Sequence, residues 1–214
     1  MPHVVLLGDS IFDNAAYVAG GPDVVTQLRP LLPDGWSATL CAVDGAAAAD
    51  VQRQLARVPR DATHLVVSAG GNDALGHVDI LSRPARSAAE VLGMLADAAG
   101  AFEARYRRAL ASVVDRGLPV TVCTVYNGNL PDPLTQRLAS TALTVFNDAI
   151  LRAAIDVCAA VIDLRPVCSE AVDYANPIEP SVRGGAKIAR AVARAVTERR
   201  AHAARTARTE VFAR

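Results

Sequence analysis

Four consecutive apolar residues, Val4-Val5-Leu6-Leu7, run straight into Gly8 near the start of the chain. A strand with one wet face alternates apolar and polar residues, whereas a strand covered on both faces does not need to. The run is far too short for a secretory core or a membrane span. It predicts a buried strand over His3–Gly8. Trp36–Val43, Thr63–Ala69, Pro119–Val125 and Ala160–Leu164 read as four more strands. Helical segments alternate with them: Val24–Leu32, Ala47–Val58, a long stretch reaching about Asp115, Pro133–Cys158, and a last one from about Ser181. Ser87-Ala88-Ala89-Glu90 is a capping box that opens the long stretch, with Gly93 and Gly100 as weak points inside it. Strands that alternate with helices pair in parallel through right-handed crossovers, with helices on both faces. The expected fold is therefore α/β: a three-layer α/β/α sandwich around a five-stranded, mostly parallel sheet.

The 214 residues suit one domain, expected over 1–200. A basic tail over 201–214 follows, part of an Ala/Arg-rich stretch after Thr197 with Arg199, Arg200, Arg205 and Arg208, which is expected to prolong the last helix. Only 4% of residues are aromatic, so Ala, Val and Leu must build the core. The formal net charge of zero points to no nucleic-acid partner. Cys41, Cys123, Cys158 and Cys168 have no CxxC spacing; without a visible signal peptide they are expected to be reduced and the protein cytoplasmic, with no membrane span. The first strand is not followed by Gly-x-Gly-x-x-Gly, and no Walker-type loop occurs. His, Cys and carboxylates do not cluster at metal-ligand spacing. Neither a cofactor nor a metal is expected.

In such a sheet, ligands bind beyond the carboxyl ends of the strands. Gly8-Asp9-Ser10 follows the first strand, Asp44-Gly45 the second, and Gly70-Gly71-Asn72-Asp73 the third. Ser10 puts a hydroxyl at the mouth of the sheet, where N–H groups of the next turn point at the same place. Gly45 lets a backbone N–H approach an oxyanion closely. Asn72 offers a neutral amide donor. Each alone reads as a cap or a turn. Three successive strand ends with nucleophile, backbone donor and amide donor form a set. Asp9, Asp73, His77 and, before the last helix, Asn176 are expected at the substrate. Tyr126 and Asn127 follow the fourth strand as pocket residues, and the loop from Asn127 to Pro133 is placed as a lid.

VVLLGDSIFDN resembles the first sequence block of the GDSL/SGNH hydrolase family, CAVDGAAAADV the second and SAGGNDAL the third. The resemblance covers nearly the whole chain up to the last helix and implies the SGNH, flavodoxin-like fold. It implies hydrolysis of a small-molecule ester or acyl substrate, with Ser10 acylated. It also implies an oxyanion hole made by the Ser10 N–H, the Gly45 N–H and the Asn72 amide. The fourth block departs. The family has an Asp and, three residues on, a His before the last helix; here Asn176 and Glu179 stand at those places in Asn176-Pro177-Ile178-Glu179-Pro180-Ser181. A serine hydroxyl needs a base, and three readings stay open. Glu179 is the base, with its pKa raised by burial, or it merely caps the last helix or pairs with Arg183. His77 substitutes. Or the site is degenerate and binds an acyl or carboxylate ligand without turnover.

Overall fold

A computed structural model describes residues 1–202 and 209–213. Five strands form in the expected order: β1 (His3–Gly8), β2 (Ser37–Leu40), β3 (His64–Ser68), β4 (Val120–Cys123) and β5 (Ala160–Ile162). The sheet has a sixth, β6 (Val211–Phe212), so the order is β2-β1-β3-β4-β5-β6 with every pair parallel. The expectation of five strands is thus corrected to six. Val211–Phe212 was read as part of the tail, and two residues carry no periodicity. The β5 edge supplies what the local sequence lacks, through Val161 N–H on the Glu210 carbonyl and Asp163 N–H on the Phe212 carbonyl. Arg205 and Arg208 lie outside the described residues.

Among the described residues seven helices connect the strands: α1 (Val24–Leu28), α2 (Val51–Gln54), α3 (Gly71–Leu75), α4 (Ala88–Val114), α5 (Pro133–Asp156), α6 (Leu164–Val167) and α7 (Val182–His202). α1 is shorter than Val24–Leu32 because Pro30 turns its end into a 3-10 segment, Arg29–Leu31. The Ala47–Val58 stretch is α2 flanked by 3-10 turns, Ala48–Asp50 and Leu55–Arg57. α4 runs through Gly93 and Gly100 unbroken. Ser87 Oγ accepts the Glu90 N–H at 3.2 Å, while the Glu90 carboxylate reaches back to the Arg86 N–H. Asp132 caps α5 ahead of Pro133, a residue pre-set for the first turn.

Successive β1 residues serve opposite cores, as the two-residue period of a strand requires. Val5 and Leu7 pack with α2, α4 and α5. Val4 and Leu6 pack with α1, α6, α7 and Phe212. Among the described residues, α5 is the one helix long and apolar enough to cross a membrane. Its Phe146, Ile150 and Ala154 lie in the first of these cores.

Two buried amides finish the sheet where strand pairing stops. β2 ends at Leu40 opposite Leu6; beyond it the Val43 N–H still reaches the Gly8 carbonyl at 3.0 Å, but the Gly8 N–H has no strand partner on that side. Gln54 takes over, accepting the Gly8 N–H and donating to the Gly8 carbonyl, both at 2.7 Å. Asn147 of α5 holds the Val125 N–H and carbonyl, both at 2.8 Å. Gly8 has φ +126°, and a Cβ there would sit 1.7 Å from the Ser68 carbonyl oxygen. Only glycine fits that turn into the next residues.

Gln54→Leu keeps the volume but strands the Gly8 N–H. The expected loss is about 1–3 kcal/mol, read as a drop in Tm of about 2–4 °C per kcal/mol. An unchanged Tm would contradict the role given to this amide.

Candidate active site

The chain leaves β1 through Asp9, whose N–H still pairs with the Ser68 carbonyl at 3.0 Å. It then tightens: Phe12 and Asp13 both donate to the Asp9 carbonyl, at 3.2 and 3.1 Å, and Ile11 N–H donates to Asp9 Oδ1 at 3.1 Å. Ser10 sits in this turn, and its own N–H has no hydrogen-bond partner among the described residues. Ser10 Oγ donates to Glu179 Oε1 at 3.0 Å, across 169 positions of sequence.

Several bonds hold Glu179 there. Asn176 Oδ1 accepts the N–H groups of Ile178 and Glu179 at 3.0 and 2.9 Å. Tyr126 OH donates to the Ile178 carbonyl at 2.7 Å. Asn14 Nδ2 donates to the Pro180 carbonyl at 3.2 Å, while Asn14 Oδ1 accepts the Val24 N–H. The loop expected to be a lid is itself tied down: Asn129 N–H donates to the Pro177 carbonyl, and Gln136 bridges Leu130 and Asn127.

Glu179 is only 6% exposed, and its Oε2 is buried without a hydrogen-bond partner. No cation lies within ion-pair distance of it among the described residues. Arg183 pairs with Glu170 instead. Burial therefore raises the Glu179 pKa above 4.5, the Ser10 hydrogen bond opposes the rise, and the charge of Asp44 adds to it. Asp9, 3% exposed, is pushed up to about 8, mainly by burial and further by the charges of Glu179 and Asp73; the Ile11 N–H opposes this. Neutral pH therefore favours its carboxylic acid form.

Asn72 lies in the first turn of α3, a segment read from sequence as a turn, which starts after Gly70 at φ +124°. Its Nδ2 donates to the Ala46 carbonyl at 3.0 Å, joining the third strand-end loop to the second. Gly45 has φ +77°, and its N–H makes no hydrogen bond among the described residues. Asp13 accepts the Asp44 N–H at 3.0 Å, so the first and second loops are joined as well.

A cavity of about 170 Å³ opens beside Ser10. Asp9, Asn72, His77, Tyr126, Asn127 and Glu179 line it with Ser10. Gly45 lines a neighbouring cleft with Asp44 and Arg53 instead. His77 faces Phe146, ring centroids 6.2 Å apart, and has no hydrogen bond to Ser10 or Glu179. Asp73, expected near substrate, lies outside the lining; it accepts the Ala48 N–H at 2.8 Å and pairs with Arg105 at 3.5 Å. Asn176, also expected near substrate, is not in the lining and is occupied with backbone. The clamps by Gln54, Asn147 and Asn14 escaped the sequence reading. The signal for Asn147 was there: a carboxamide inside the apolar helical stretch Thr144-Val145-Phe146-Asn147.

Residues 6–187 match the GDSL-like lipase/acylhydrolase family. The chain belongs to that family. No curated protein sequence matches it. Solved structures share its fold at low identity. An extracellular lipase from Streptomyces rimosus has TM-score 0.64 and 17% identity, covering 92% of this chain and 99% of that one. A G-D-S-L family protein from Veillonella parvula has 0.66 and 16%, covering 93% and 100%. Phospholipase A1 from Streptomyces albidoflavus has 0.61 and 17%, covering 92% and 98%. As a family member the chain is an acylhydrolase in general class; its first and third family blocks line the cavity, and the second is tied to both through Asp44 and Ala46.

The buried acid gives a stability test. Asp9 ordinarily titrates near 3.8 and here near 8. Between these values the unfolded chain gives up a proton that the folded chain keeps, so stability falls as pH rises through the window and levels above it. Asp9→Asn has no such proton. Its advantage over wild type should grow from pH 4 to pH 8, reaching a few kcal/mol in urea unfolding. A pH-independent difference would contradict the protonated Asp9.

Proposed function

We propose that this family member hydrolyses carboxylic esters through an acyl-enzyme on Ser10, with Glu179 as general base. The 3.0 Å hydrogen bond from Ser10 Oγ to Glu179 Oε1 carries the reading, because a base must reach the proton it removes. Ser10 Oγ attacks the ester carbonyl carbon as its proton passes to Glu179. The carbonyl π pair moves onto oxygen, where the Ser10 N–H, the Gly45 N–H and the Asn72 amide stabilise it. Collapse expels the alcohol, which takes the proton back from Glu179. Water then repeats both steps and frees the acid.

The two replaced residues make sense together. An imidazole base needs a carboxylate behind it to fix its tautomer and balance the imidazolium. A carboxylate base has no tautomer and becomes neutral when it accepts the proton. A second carboxylate behind it would only repel it. Asn176 instead holds the backbone that carries Glu179. The alternative is a binder of an acyl or carboxylate ligand without turnover; its carboxylate form sets the ligand's charge against Glu179 and Asp44.

Hydrolysis of p-nitrophenyl butyrate across pH tests this. Ser10→Ala should abolish turnover, a loss of up to about a millionfold. Glu179→Gln, equal in size, should lose on the order of a thousandfold or more. Activity needs ionised Glu179, so kcat/KM rises with pH through a value above 4.5. Above about 8, Asp9 ionises and sets a second negative charge near the oxyanion, so the profile turns down. His77→Gln should leave the acid limb in place. Wild-type activity in Glu179→Gln, or an acid limb that moves with His77, would overturn the assignment.

A further inference from the structure

We propose that the cavity beside Ser10 is an acyl pocket for a straight chain of up to about six carbons; the inference rests on Ser10 being the nucleophile. The cavity has two unlike ends. Asp9, Ser10, Asn72 and Glu179 are at one. Tyr126, Asn127 and Ile178 line it on the side of Glu179, and Ile80, Leu81, Leu95, Leu143 and Phe146 line the arm drawn from the 3-10 segment Val78–Ser82 and from α4 and α5. None of those elements carries Glu179.

That division decides which half of an ester lies where. The departing alcohol takes its proton from Glu179, so it must stay beside the 176–181 loop. The acyl tail is the part free to lie along the apolar arm. The 3-10 segment, α4 and α5 contribute no polar side chain to the lining, so that arm offers nothing to a sugar hydroxyl. An aliphatic tail loses nothing there and gains from leaving water.

Size sets the length. An apolar cavity of about 150 Å³ accepts a benzene ring, six carbons; this one is about 170 Å³ with its polar end included, so about six carbons is the upper limit of the chain. Its α5 wall is packed. Phe146 is 3% exposed and packs on Phe102 with centroids 5.3 Å apart. Ala139 and Ala142 leave room on the α5 side, where larger residues would fill it.

Ethyl hexanoate and hexyl acetate are isomers that differ only in which side of the ester bears the chain. Each methylene buried in the arm is worth about fourfold in kcat/KM, about 0.8 kcal/mol. Ethyl hexanoate, with four more acyl methylenes, should therefore be cleaved roughly 250-fold better than hexyl acetate. Ala142→Phe should collapse that ratio. A binding experiment separates the pocket from the chemistry: hexanamide, but not acetamide, should raise the Tm of Ser10→Ala, and Ala142→Phe in that background should remove the shift. Hexanamide binding with no ester cleaved by wild type would sink the hydrolase reading and leave the pocket. Equal rates for the two isomers, a preference for hexyl acetate, or no chain-length dependence in amide binding would overturn the acyl pocket.

Discussion

A carboxylate that leaves water without a cation to meet it is costly to the fold. Glu179 is in that position, and Asp9 is close enough to be pushed up by its charge. Two buried acids around one serine hydroxyl destabilise the native state at neutral pH, and the two apolar cores on either face of the sheet have to offset them. The same arrangement makes the site useful. Desolvation moves a carboxylate toward the basicity that proton removal at neutral pH demands. Keeping Asp9 neutral takes one negative charge away from Ser10, so the field at the hydroxyl comes mainly from Glu179, the proposed base, with Asp44 adding to it.

Such a site works only if its loops hold still. In parallel sheets the strand ends lose their backbone partners just where the ligand must bind. Here carboxamides stand in: Gln54 at Gly8, Asn147 at Val125, and Asn14 between the first loop and Pro180. Each uses both donor and acceptor of its amide, so one buried side chain satisfies two polar groups. Asn72 and Asp13 then tie the second loop to the third and to the first. The nucleophile, the proposed oxyanion donors and the proposed base are positioned before any substrate arrives.

Much of this was legible in the residues. Unbroken apolar runs such as Val4–Leu7 announced strands buried on both faces, and the loops after three of them carried Ser10, Gly45 and Asn72. What was not legible depends on distant partners. Val211–Phe212 is a strand only because β5 has a free edge. Gln54 looks like any polar residue on an amphipathic helix until the place where β2 stops is known. Gly71–Leu75 is a helix although its glycines and Asn-Asp suit a turn, because Gly70 at φ +124° redirects the chain into it. The base was the largest gap. Sequence left Glu179, His77 or neither. The choice needs a distance between residues 169 positions apart.

The most direct test is the rate at which a fluorophosphonate labels Ser10, followed by intact-mass spectrometry across pH. Labelling needs the activated hydroxyl but no turnover, so it isolates the Ser10–Glu179 pair. The account predicts one adduct on Ser10 in wild type, forming faster as pH rises through the raised Glu179 pKa, and labelling at least a hundredfold slower in Glu179→Gln. Equal labelling of wild type and Glu179→Gln at every pH would contradict it.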